Sequence, residues 1–217
     1  MLSESAQDYV KAIWRLEREE RMSTTTLAAE LGVAPASATA MLKKLARLGL
    51  VAHQRYRGAT LTEDGQRMAL EIVRHHRLLE LYLARALGLG WDQVHREAER
   101  LEHYLSEELE ARIDEALGHP TRDPHGDPIP SADLVLARDE LDSLGDMPQG
   151  AEAVVRRVPD GDPELLRYLA GLGLIPGQDV VVVDHAPFDG PVTFEVNGMR
   201  HAIGRSLADR IRVGAPE

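Results

Sequence analysis

The hydrophobic residues of this chain change their spacing once, and that change limits the folds that the chain can adopt. Up to Leu117 they recur every three or four residues, which is typical of amphipathic helices. From Ala153 onwards they form short runs of the kind found in strands. A loop rich in Pro, Asp and Gly, residues 119–130, and a connection up to residue 150 separate the two regions. We therefore predict a mainly α protein with a small β domain near its carboxyl end.

Short helices that end at glycine, followed by a hairpin, fill the first third of the chain. Gly32 and Gly49 stand where such helices commonly end, and Pro35 is of the type favoured in a first helical turn. Tyr56-Arg57-Gly58 lies between two short runs of strand-forming residues. We therefore predict a winged helix-turn-helix made of helices at residues 3–19, 24–31 and 35–48 and strands at residues 50–55 and 59–61.

Two long helices and a set of short strands are predicted for the remainder. Thr62, followed by two acidic residues, opens a helix that continues to about Ala86, and a second amphipathic helix runs from Asp92 to Leu117. Long helices that follow a DNA-binding unit commonly form a dimer interface. Beyond them, the sequence predicts a small barrel with strands at residues 153–158, 180–184, 192–196 and 210–213 and one helix at residues 163–172.

The charges of the chain are divided unevenly between its parts. The formal net charge is −11, but residues 1–74 carry +2 and residues 75–217 carry −13. Residues 31–62 hold five basic side chains and no acidic one. Because DNA phosphates respond to such a local patch, we expect double-stranded DNA as a partner. A winged helix that serves only protein contacts is the alternative.

The third predicted helix begins with small side chains, which let a helix lie deep in the major groove. Alanine and threonine methyls contact thymine, hydroxyls reach base edges, and basic side chains further on contact phosphates. The candidate DNA-binding residues are Thr26, Pro35, Ala36, Ser37, Thr39, Lys43, Lys44, Arg55, Tyr56 and Arg57.

Carboxylates and imidazoles gather on the two long predicted helices. Four of them share one face of their helix, and two more lie one turn apart on the helix before it. These are His95, Glu99, Glu102 and His103 on the later helix and His76 and Glu80 on the earlier one. Asp8 on the first helix is placed to complete the group. Oxygen and nitrogen donors without sulfur suit Mn(II) or Fe(II), whereas a solvated polar face is the alternative for each residue alone.

Composition and motifs exclude several other classes of protein. The chain has no cysteine, which excludes disulfide scaffolds, Fe–S clusters and thiol catalysis. It has neither an apolar run of roughly 18 residues nor a signal-like beginning, so we expect a cytoplasmic protein without a membrane partner. We expect no enzyme, since no nucleophile motif or phosphate-binding glycine loop occurs. The rival readings are a regulator with a small organic effector, which needs an apolar pocket, and a carboxylate-bridged metalloenzyme, which needs a Glu-x-x-His pair on each of two helices.

The order and spacing of these motifs resemble the DtxR/MntR family of metal-dependent transcriptional repressors, in the long form that ends in an SH3-like (FeoA-type) domain. The resemblance covers the whole chain. Its landmarks are Asp8-Tyr9, residues 31–39, Tyr56-Arg57-Gly58, residues 75–80, Glu99-x-x-Glu102-His103, Asp127-Pro128-Ile129-Pro130 and residues 172–177. It implies a winged helix-turn-helix DNA-binding domain at residues 1–74, a helical metal-binding and dimerisation domain at 75–140 and an SH3-like domain at 150–217.

The resemblance also implies two metal sites, each built from side chains that are distant in the sequence. The primary site would consist of Asp8, Glu99, Glu102 and His103. The ancillary site would consist of His76, Glu80, His95 and a carboxylate of the barrel, for which Asp160 is the first choice. Further candidates are Asp123, His125, Asp162 and Glu164.

Three positions bear on the choice and number of metal ions. Iron-responsive relatives place Met and Cys where this chain has Asp8 and Glu99, and exchanging soft sulfur for carboxylate favours Mn(II). Fe(II) is the alternative, and Zn(II), Co(II) and Cd(II) are expected to substitute in vitro. Short manganese-responsive relatives place a Glu where this chain has Lys11, so we expect two separate sites here rather than one site with paired ions.

These implications amount to a mechanism in which the metal controls the spacing of two DNA-reading helices. Without metal, Asp8, Glu99 and Glu102 are expected to repel one another. The ion would join the first helix to the dimer helices and orient the two recognition helices of a homodimer on a palindromic operator. The expected outcome is repression of metal-uptake genes.

Overall fold

The structure is a computed structural model that describes residues 2–54 and 58–216, without the side chains of residues 53, 54 and 58. It divides into two compact units. The first comprises Met1–His76, Leu101–Ser106 and Pro130–Leu136, and the second comprises Arg77–Arg100, Glu107–Ile129 and Ala137–Glu217.

The first unit contains the predicted winged helix-turn-helix. Its helices are α1 (Glu4–Arg18), α2 (Thr24–Glu30) and α3 (Pro35–Arg47), and β1 (Val51–Gln54) pairs with β2 (Gly58–Leu61) in an antiparallel hairpin. Ser23 caps α2, since its hydroxyl accepts a hydrogen bond from the Thr26 amide at 3.0 Å. Apolar side chains from all three helices and both strands, among them Ile13, Leu27 and Leu45, form one buried core.

The prediction of one continuous helix over residues 92–117 is wrong, because the chain forms two helices there with a short turn between them. The helix α4 (Glu63–Leu87) agrees with the sequence, but it is followed by α5 (Val94–Leu101), a 3-10 turn (Glu102–Tyr104) and α6 (Glu107–Leu117). Nδ1 of His75 donates to the Glu102 carbonyl at 3.2 Å, so that carbonyl has a partner outside a helical ladder. Ser106 and the acidic first turn of α6 favour a new helix start.

The carboxyl-terminal part of the second unit is a six-stranded antiparallel sheet. Its strands are β3 (Asp142–Ser143), β4 (Glu152–Arg157), β5 (Asp179–His185), β6 (Val192–Val196), β7 (Met199–Ile203) and β8 (Arg212–Gly214), in the order β3-β8-β4-β5-β6-β7. The helices α7 (Pro163–Gly171) and α8 (Arg205–Ala208) complete it. The sequence analysis missed β3, β7 and α8, since β3 and α8 are very short and β7 is an edge strand with mostly exposed side chains.

Alternation along the strands explains the second core. Val192, Phe194 and Val196 of β6 are buried, while Thr193 and Glu195 between them are only half-buried. They pack with Leu166 and other apolar residues of the sheet and α7. Among the described helices, none combines the length and apolarity that a membrane span requires.

Candidate metal centres and DNA-binding surface

Three of the four predicted primary ligands meet in the first unit. Asp8 comes from α1, and Glu102 and His103 come from the 3-10 turn. Nε2 of His103 lies 3.0 Å from Oδ1 of Asp8 and 3.9 Å from Oε1 of Glu102. One donor atom from each of the three residues lies within 4.8 Å of the other two. We call this set, Asp8, Glu102 and His103, the α1 cluster.

The imidazole of His103 is oriented by a second hydrogen bond. Its Nδ1 lies 2.9 Å from Oε1 of Gln7, and an amide oxygen can only accept, so Nδ1 donates. Nε2, which faces Asp8, is then the ring nitrogen that is placed to bind a metal ion. An imidazole held in this way by a carbonyl acceptor is a common arrangement for a metal ligand.

Glu102 is fully buried and is already paired with positively charged or polar groups. Nζ of Lys11 lies 2.9 Å from Oε1 and 2.8 Å from Oε2, and Nδ1 of His76 lies 2.5 Å from Oε2. The repulsion expected between the carboxylates is therefore offset at Glu102 by Lys11, and Asp8 is paired with His103. Glu99 belongs to the second unit, where its Oε1 lies 3.8 Å from Nε2 of His95.

A second set of donors meets in the second unit, in a fully buried position. Glu80 of α4 meets Asp123 and His125 of the loop 119–130, and one donor atom from each residue lies within 4.8 Å of the others. Nδ1 of His125 lies 3.6 Å from Oε2 of Glu80, outside hydrogen-bond distance. Oδ2 of Asp123 and Nδ1 of His125 are buried without a hydrogen-bond partner. We call Glu80, Asp123 and His125 the buried cluster.

The backbone around the buried cluster holds its donors in place. Nε2 of His125 donates to the Trp91 carbonyl at 2.8 Å, so Nδ1 is the ring nitrogen that faces the carboxyl groups of the cluster. Oδ1 of Asp123 accepts hydrogen bonds from the amides of His125 and Asp127, at 2.8 and 3.0 Å, which leaves Oδ2 for other ligands.

A glycine and an arginine fix the path of the loop that carries these residues. Gly126 has φ +92°, and a Cβ there would lie 1.9 Å from the Arg156 carbonyl oxygen, so only glycine fits. Arg77 of α4 donates to the Pro128 carbonyl at 2.6 Å and to Oδ1 of Asp127 at 3.2 Å. Its Nε also lies 3.7 Å from Oδ2 of Asp123.

Burial and neighbouring charges shift the pKa values of two members of the buried cluster. Burial raises the pKa of Asp123 to about 8, and the negative charges of Glu80 and Asp127 act in the same direction. Burial lowers the pKa of His125, but attraction by Glu80 and Asp123 outweighs it and raises the pKa to about 9. Near pH 7, both groups therefore carry protons that a metal ion would have to displace.

The other candidate ligands have varied surroundings. Nδ1 of His95 lies 3.1 Å from Oε1 of Glu80, which can accept a hydrogen bond from it, and His76 contacts Glu102 as described. Asp160 lies near Asp127: burial raises the pKa of Asp127, Arg77 opposes this, and the charge of Asp160 adds to it. Asp162 instead caps α7, accepting from the amides of Glu164 and Leu165, while the Glu164 side chain is exposed.

Both clusters fit a divalent ion by their donor chemistry. Each offers two carboxylates and one imidazole nitrogen, and the second nitrogen of each imidazole is engaged by a carbonyl oxygen. The buried cluster adds two polar atoms, Oδ2 of Asp123 and Nδ1 of His125, that have no hydrogen-bond partner. Burial of such atoms costs free energy unless a proton or a cation joins them, so the donor sets are suited to binding a cation.

The third helix presents the predicted DNA-reading surface. Pro35, Ala36, Ser37 and Thr39 are exposed, as are Lys43 and Lys44, while Ala38 and Leu45 on the opposite side are buried in the core. Thr26 differs, because its hydroxyl lies 2.7 Å from that of Ser23 at the start of α2. Arg55, Tyr56 and Arg57 lie outside the described residues.

Sequence analysis missed the residues that orient the ligands. Gln7 and Trp91 act through a side-chain and a main-chain oxygen, and Arg77 acts mainly on backbone. Adjacency of Gln7 to Asp8 was a weak signal. Nothing in the local pattern pointed to the carbonyl of Trp91.

Comparisons with known proteins agree with this organisation. Three family descriptions match in succession: "Iron dependent repressor, N-terminal DNA binding domain" over residues 1–59, "Iron dependent repressor, metal binding and dimerisation domain" over 62–131 and "FeoA domain" over 143–215. The diphtheria toxin repressor of Corynebacterium efficiens is 32% identical, covering 98% of this chain and 96% of the relative. The iron-dependent repressor IdeR of Mycobacterium tuberculosis is also 32% identical, covering 98% and 97%.

Solved structures of related repressors give the same result. A manganese-dependent transcriptional repressor in complex with manganese is 41% identical with a TM-score of 0.89, covering 97% of this chain and 100% of that one. The manganese regulator SloR is 30% identical with a TM-score of 0.82, covering 97% and 98%. The chain therefore belongs to the DtxR family of metal-dependent, DNA-binding transcriptional repressors.

Proposed function

We propose that this chain is a Mn(II)-responsive repressor of metal-uptake genes, which binds a palindromic operator as a homodimer. The observation that carries the choice of metal is the donor set. Both clusters consist of carboxylate oxygens and imidazole nitrogens, and the chain has no cysteine to supply a thiolate. Hard oxygen donors favour Mn(II) relative to sites that contain sulfur.

Relatives support both this metal and its alternative. Two structurally similar repressors are described as manganese-dependent or as a manganese regulator. Curated relatives of similar identity are described as iron-dependent. Fe(II) is therefore the second candidate, and a direct comparison of the two ions has to be part of the test.

We assign the effector role to the α1 cluster because it joins α1 to the segment 102–103. Asp8, Glu102 and His103 would hold the ion, while Glu99, the fourth residue of the expected primary site, belongs to the second unit. The bound ion supplies two positive charges between carboxylates. Since α1 packs in one core with α2 and α3, fixing α1 fixes the recognition helix α3.

We assign a tighter, structural role to the buried cluster. Glu80, Asp123 and His125 would hold an ion there, with His95 and Asp160 as further candidates from the same unit, whereas His76 belongs to the first unit. Asp162 is removed from this proposal because it already caps α7, and Glu164 is removed because its side chain is exposed. An ion in this position would hold the loop 119–130 to α4.

DNA recognition is proposed to depend on α3. Its exposed methyl and hydroxyl groups suit thymine methyls and base edges, and Lys43 and Lys44 suit the flanking phosphates. In a dimer, two such helices read successive major grooves only at a separation of roughly 34 Å. A shift of that arrangement from mostly inactive to mostly active needs about 5.5 kcal/mol of differential metal affinity.

Fluorescence anisotropy with purified full-length chain tests the proposal. The probe is a palindromic fragment selected from random DNA by the metal-loaded protein, titrated with protein in the presence of Mn(II), anaerobic Fe(II), Zn(II) or a chelator. We expect tight binding with Mn(II) and weak binding with the chelator. Equal affinity with chelator contradicts metal-dependent DNA binding, and a response to Fe(II) at lower free-ion concentration than to Mn(II) contradicts the choice of metal.

A further inference from the structure

Lys11 lies beside the α1 cluster and contacts one of its three members, Glu102. It lies on α1, one turn after Asp8, and its Nζ is within 2.9 Å of both carboxylate oxygens of Glu102. The same nitrogen lies 3.1 Å from Nδ1 of His76. The Lys11 side chain is 19% exposed and that of Glu102 is fully buried.

The physical reason for the contact is the burial of Glu102. A carboxylate removed from water is unfavourable unless a positive charge and hydrogen bonds replace its hydration. Lys11 supplies a full positive charge to both oxygens, and His76 adds a contact to one of them. Without metal, Glu102 is thus already neutralised.

The same carboxylate is the one that a metal ion needs. Oε1 of Glu102 lies 3.9 Å from Nε2 of His103, which in turn lies 3.0 Å from Oδ1 of Asp8. A divalent ion held by Asp8 and His103 therefore shares Glu102 with the ammonium group. Two cations at one carboxylate repel each other, and this repulsion lowers the affinity of the α1 cluster for the metal ion.

We propose that Lys11 is a built-in counter-cation that competes with the metal ion for Glu102. Its charge weakens metal binding and so raises the free-metal concentration at which the repressor responds. It also holds α1 on Glu102 when no metal is present. This inference rests on the proposed use of the α1 cluster as the effector site.

The first test measures Mn(II) binding to the full chain by equilibrium dialysis with Mn(II) electron paramagnetic resonance. The variants are Lys11→Met and Lys11→Gln, which remove the charge, and Lys11→Arg, which keeps it. We expect the two neutral variants to bind Mn(II) at least about tenfold more tightly, because one positive charge beside the ion is lost. Lys11→Arg should stay within about threefold of the unmodified chain.

One background substitution and one control variant make the measurement of Mn(II) affinity specific to the α1 cluster. Asp123→Asn removes an ionisable carboxyl group from the buried cluster, so that the α1 cluster dominates the remaining isotherm. Arg21→Met is the matched control, since it removes one positive charge from an exposed pair with Glu19 in the same unit. It should leave Mn(II) affinity unchanged.

A second measurement follows the contact between Lys11 and Glu102 in the absence of metal. Hydrogen exchange of the α1 amides should be faster in metal-free Lys11→Met than in the unmodified chain, because one tie between α1 and Glu102 is gone. Saturating Mn(II) should restore slow exchange, since the ion ties the same elements together. A role confined to general stability would slow down or speed up exchange equally with and without metal.

The outcomes separate this inference from the proposed function. If neither neutral variant binds Mn(II) more tightly than the unmodified chain, while both remain folded by circular dichroism, the counter-cation role is wrong. If the unmodified chain itself binds neither Mn(II) nor Fe(II), the proposed function fails first. If hydrogen exchange of the α1 amides is identical in metal-free Lys11→Met and in the unmodified chain, Lys11 does not hold α1 on Glu102.

Discussion

The α1 cluster and the buried cluster contain the same kinds of donor, yet the fold neutralises them differently. In the α1 cluster, Asp8 is 38% exposed and the buried Glu102 carboxylate is paired with the Lys11 ammonium group. In the buried cluster, the side chains of Glu80, Asp123 and His125 are all fully buried. There the raised pKa values favour bound protons, which reduce the negative charge of the cluster as Lys11 does at Glu102.

This difference shows what an incoming metal ion has to displace in each place. At the α1 cluster it competes with a fixed cation on a neighbouring side chain. At the buried cluster it displaces protons from groups whose pKa is raised. The first exchange depends on which cation the sequence supplies, and the second depends on pH. The predictions below test this contrast, beginning with the largest expected effect.

The largest effect is expected for Glu102→Gln, which removes the charge that the metal and Lys11 share. Mn(II)-dependent DNA affinity should fall on the order of 100-fold, because a charged ligand is lost from a site of few ligands. Anisotropy with the selected palindromic fragment measures the loss, and sedimentation velocity should show that the dimer persists. Glu71→Gln, an exposed position on α4, is the control and should bind DNA normally.

A smaller effect is expected for Asp123→Asn, which keeps the loop but removes an ionisable carboxyl group from the buried cluster. The asparagine carbonyl can still accept from the amides of His125 and Asp127. At a Mn(II) concentration of about 100 times the Kd, a bound ion contributes about 2.7 kcal/mol to stability. Thermal unfolding with and without Mn(II) should show that most of this gain is lost. A full Mn(II)-induced rise in Tm would contradict the assignment of the buried cluster.

Proton release gives the next effect and separates the two clusters directly. Because the pKa of Asp123 is about 8 and that of His125 about 9, Mn(II) binding near pH 7 should expel protons, and affinity should increase between pH 6 and 9. Calorimetry in buffers of different ionisation enthalpy counts the protons. Asp123→Asn should reduce the count, whereas an unchanged count would show that the protons come from elsewhere.

The same shifts fix the sign of the pH effect on the metal-free chain. Both groups have a higher pKa in the folded chain than the ordinary values of 3.8 and 6.5, so protonation stabilises the folded state. That stabilisation is fully present below the ordinary values and is lost as pH rises through about 8 and 9. The metal-free Tm should therefore fall as pH rises from about 4, fall most steeply between about 6.5 and 8 and level off above about 9, and Mn(II) should reduce that fall.

The smallest effect is expected at Glu17, a half-buried carboxyl outside both clusters. Burial raises its pKa, and its hydrogen bond from the Leu61 amide, at 2.9 Å, opposes the shift only in part. A raised pKa means that the ionised form disfavours the folded state as pH rises above the ordinary value. Glu17→Gln should thus slightly raise Tm at pH 7 and leave it unchanged near pH 4. A lower Tm at pH 7 would show that the charge itself stabilises the α1–β2 contact.

Local signals were enough for the elements of the first unit. Gly32 and Gly49 follow the ends of α2 and α3, and Pro35 begins α3, as their conformational preferences predict. The break between α5 and α6 was not predicted, because an uninterrupted apolar period over residues 94–117 is compatible with one helix. The hydrogen bond from His75 to the Glu102 carbonyl, which joins residues far apart in the sequence, gives that carbonyl a partner outside a helix.

Pairing within the clusters was predictable only by residue type. The sequence supplied Asp8, Glu102 and His103 as a group, and the structure brings their donors together. It ranked Asp123 and His125 behind His95 and Asp160; the fold places Asp123 and His125 beside Glu80 in full burial, and His95 also lies 3.1 Å from Glu80. The reason is that the loop 119–130 follows a path set by Gly126 and Arg77, and such a path leaves no periodic signal in the sequence.

Sequence by itself determined the class of fold, the winged helix-turn-helix and the donor chemistry, because these depend on short-range backbone preferences and on which atoms each side chain offers. Tertiary structure alone decided that Lys11 neutralises Glu102, that Trp91 and Gln7 orient the imidazoles and that Asp123 and His125 hold protons. These properties depend on burial and on contacts between residues far apart in the chain. Electrostatic energies change steeply with both, so no local pattern encodes them.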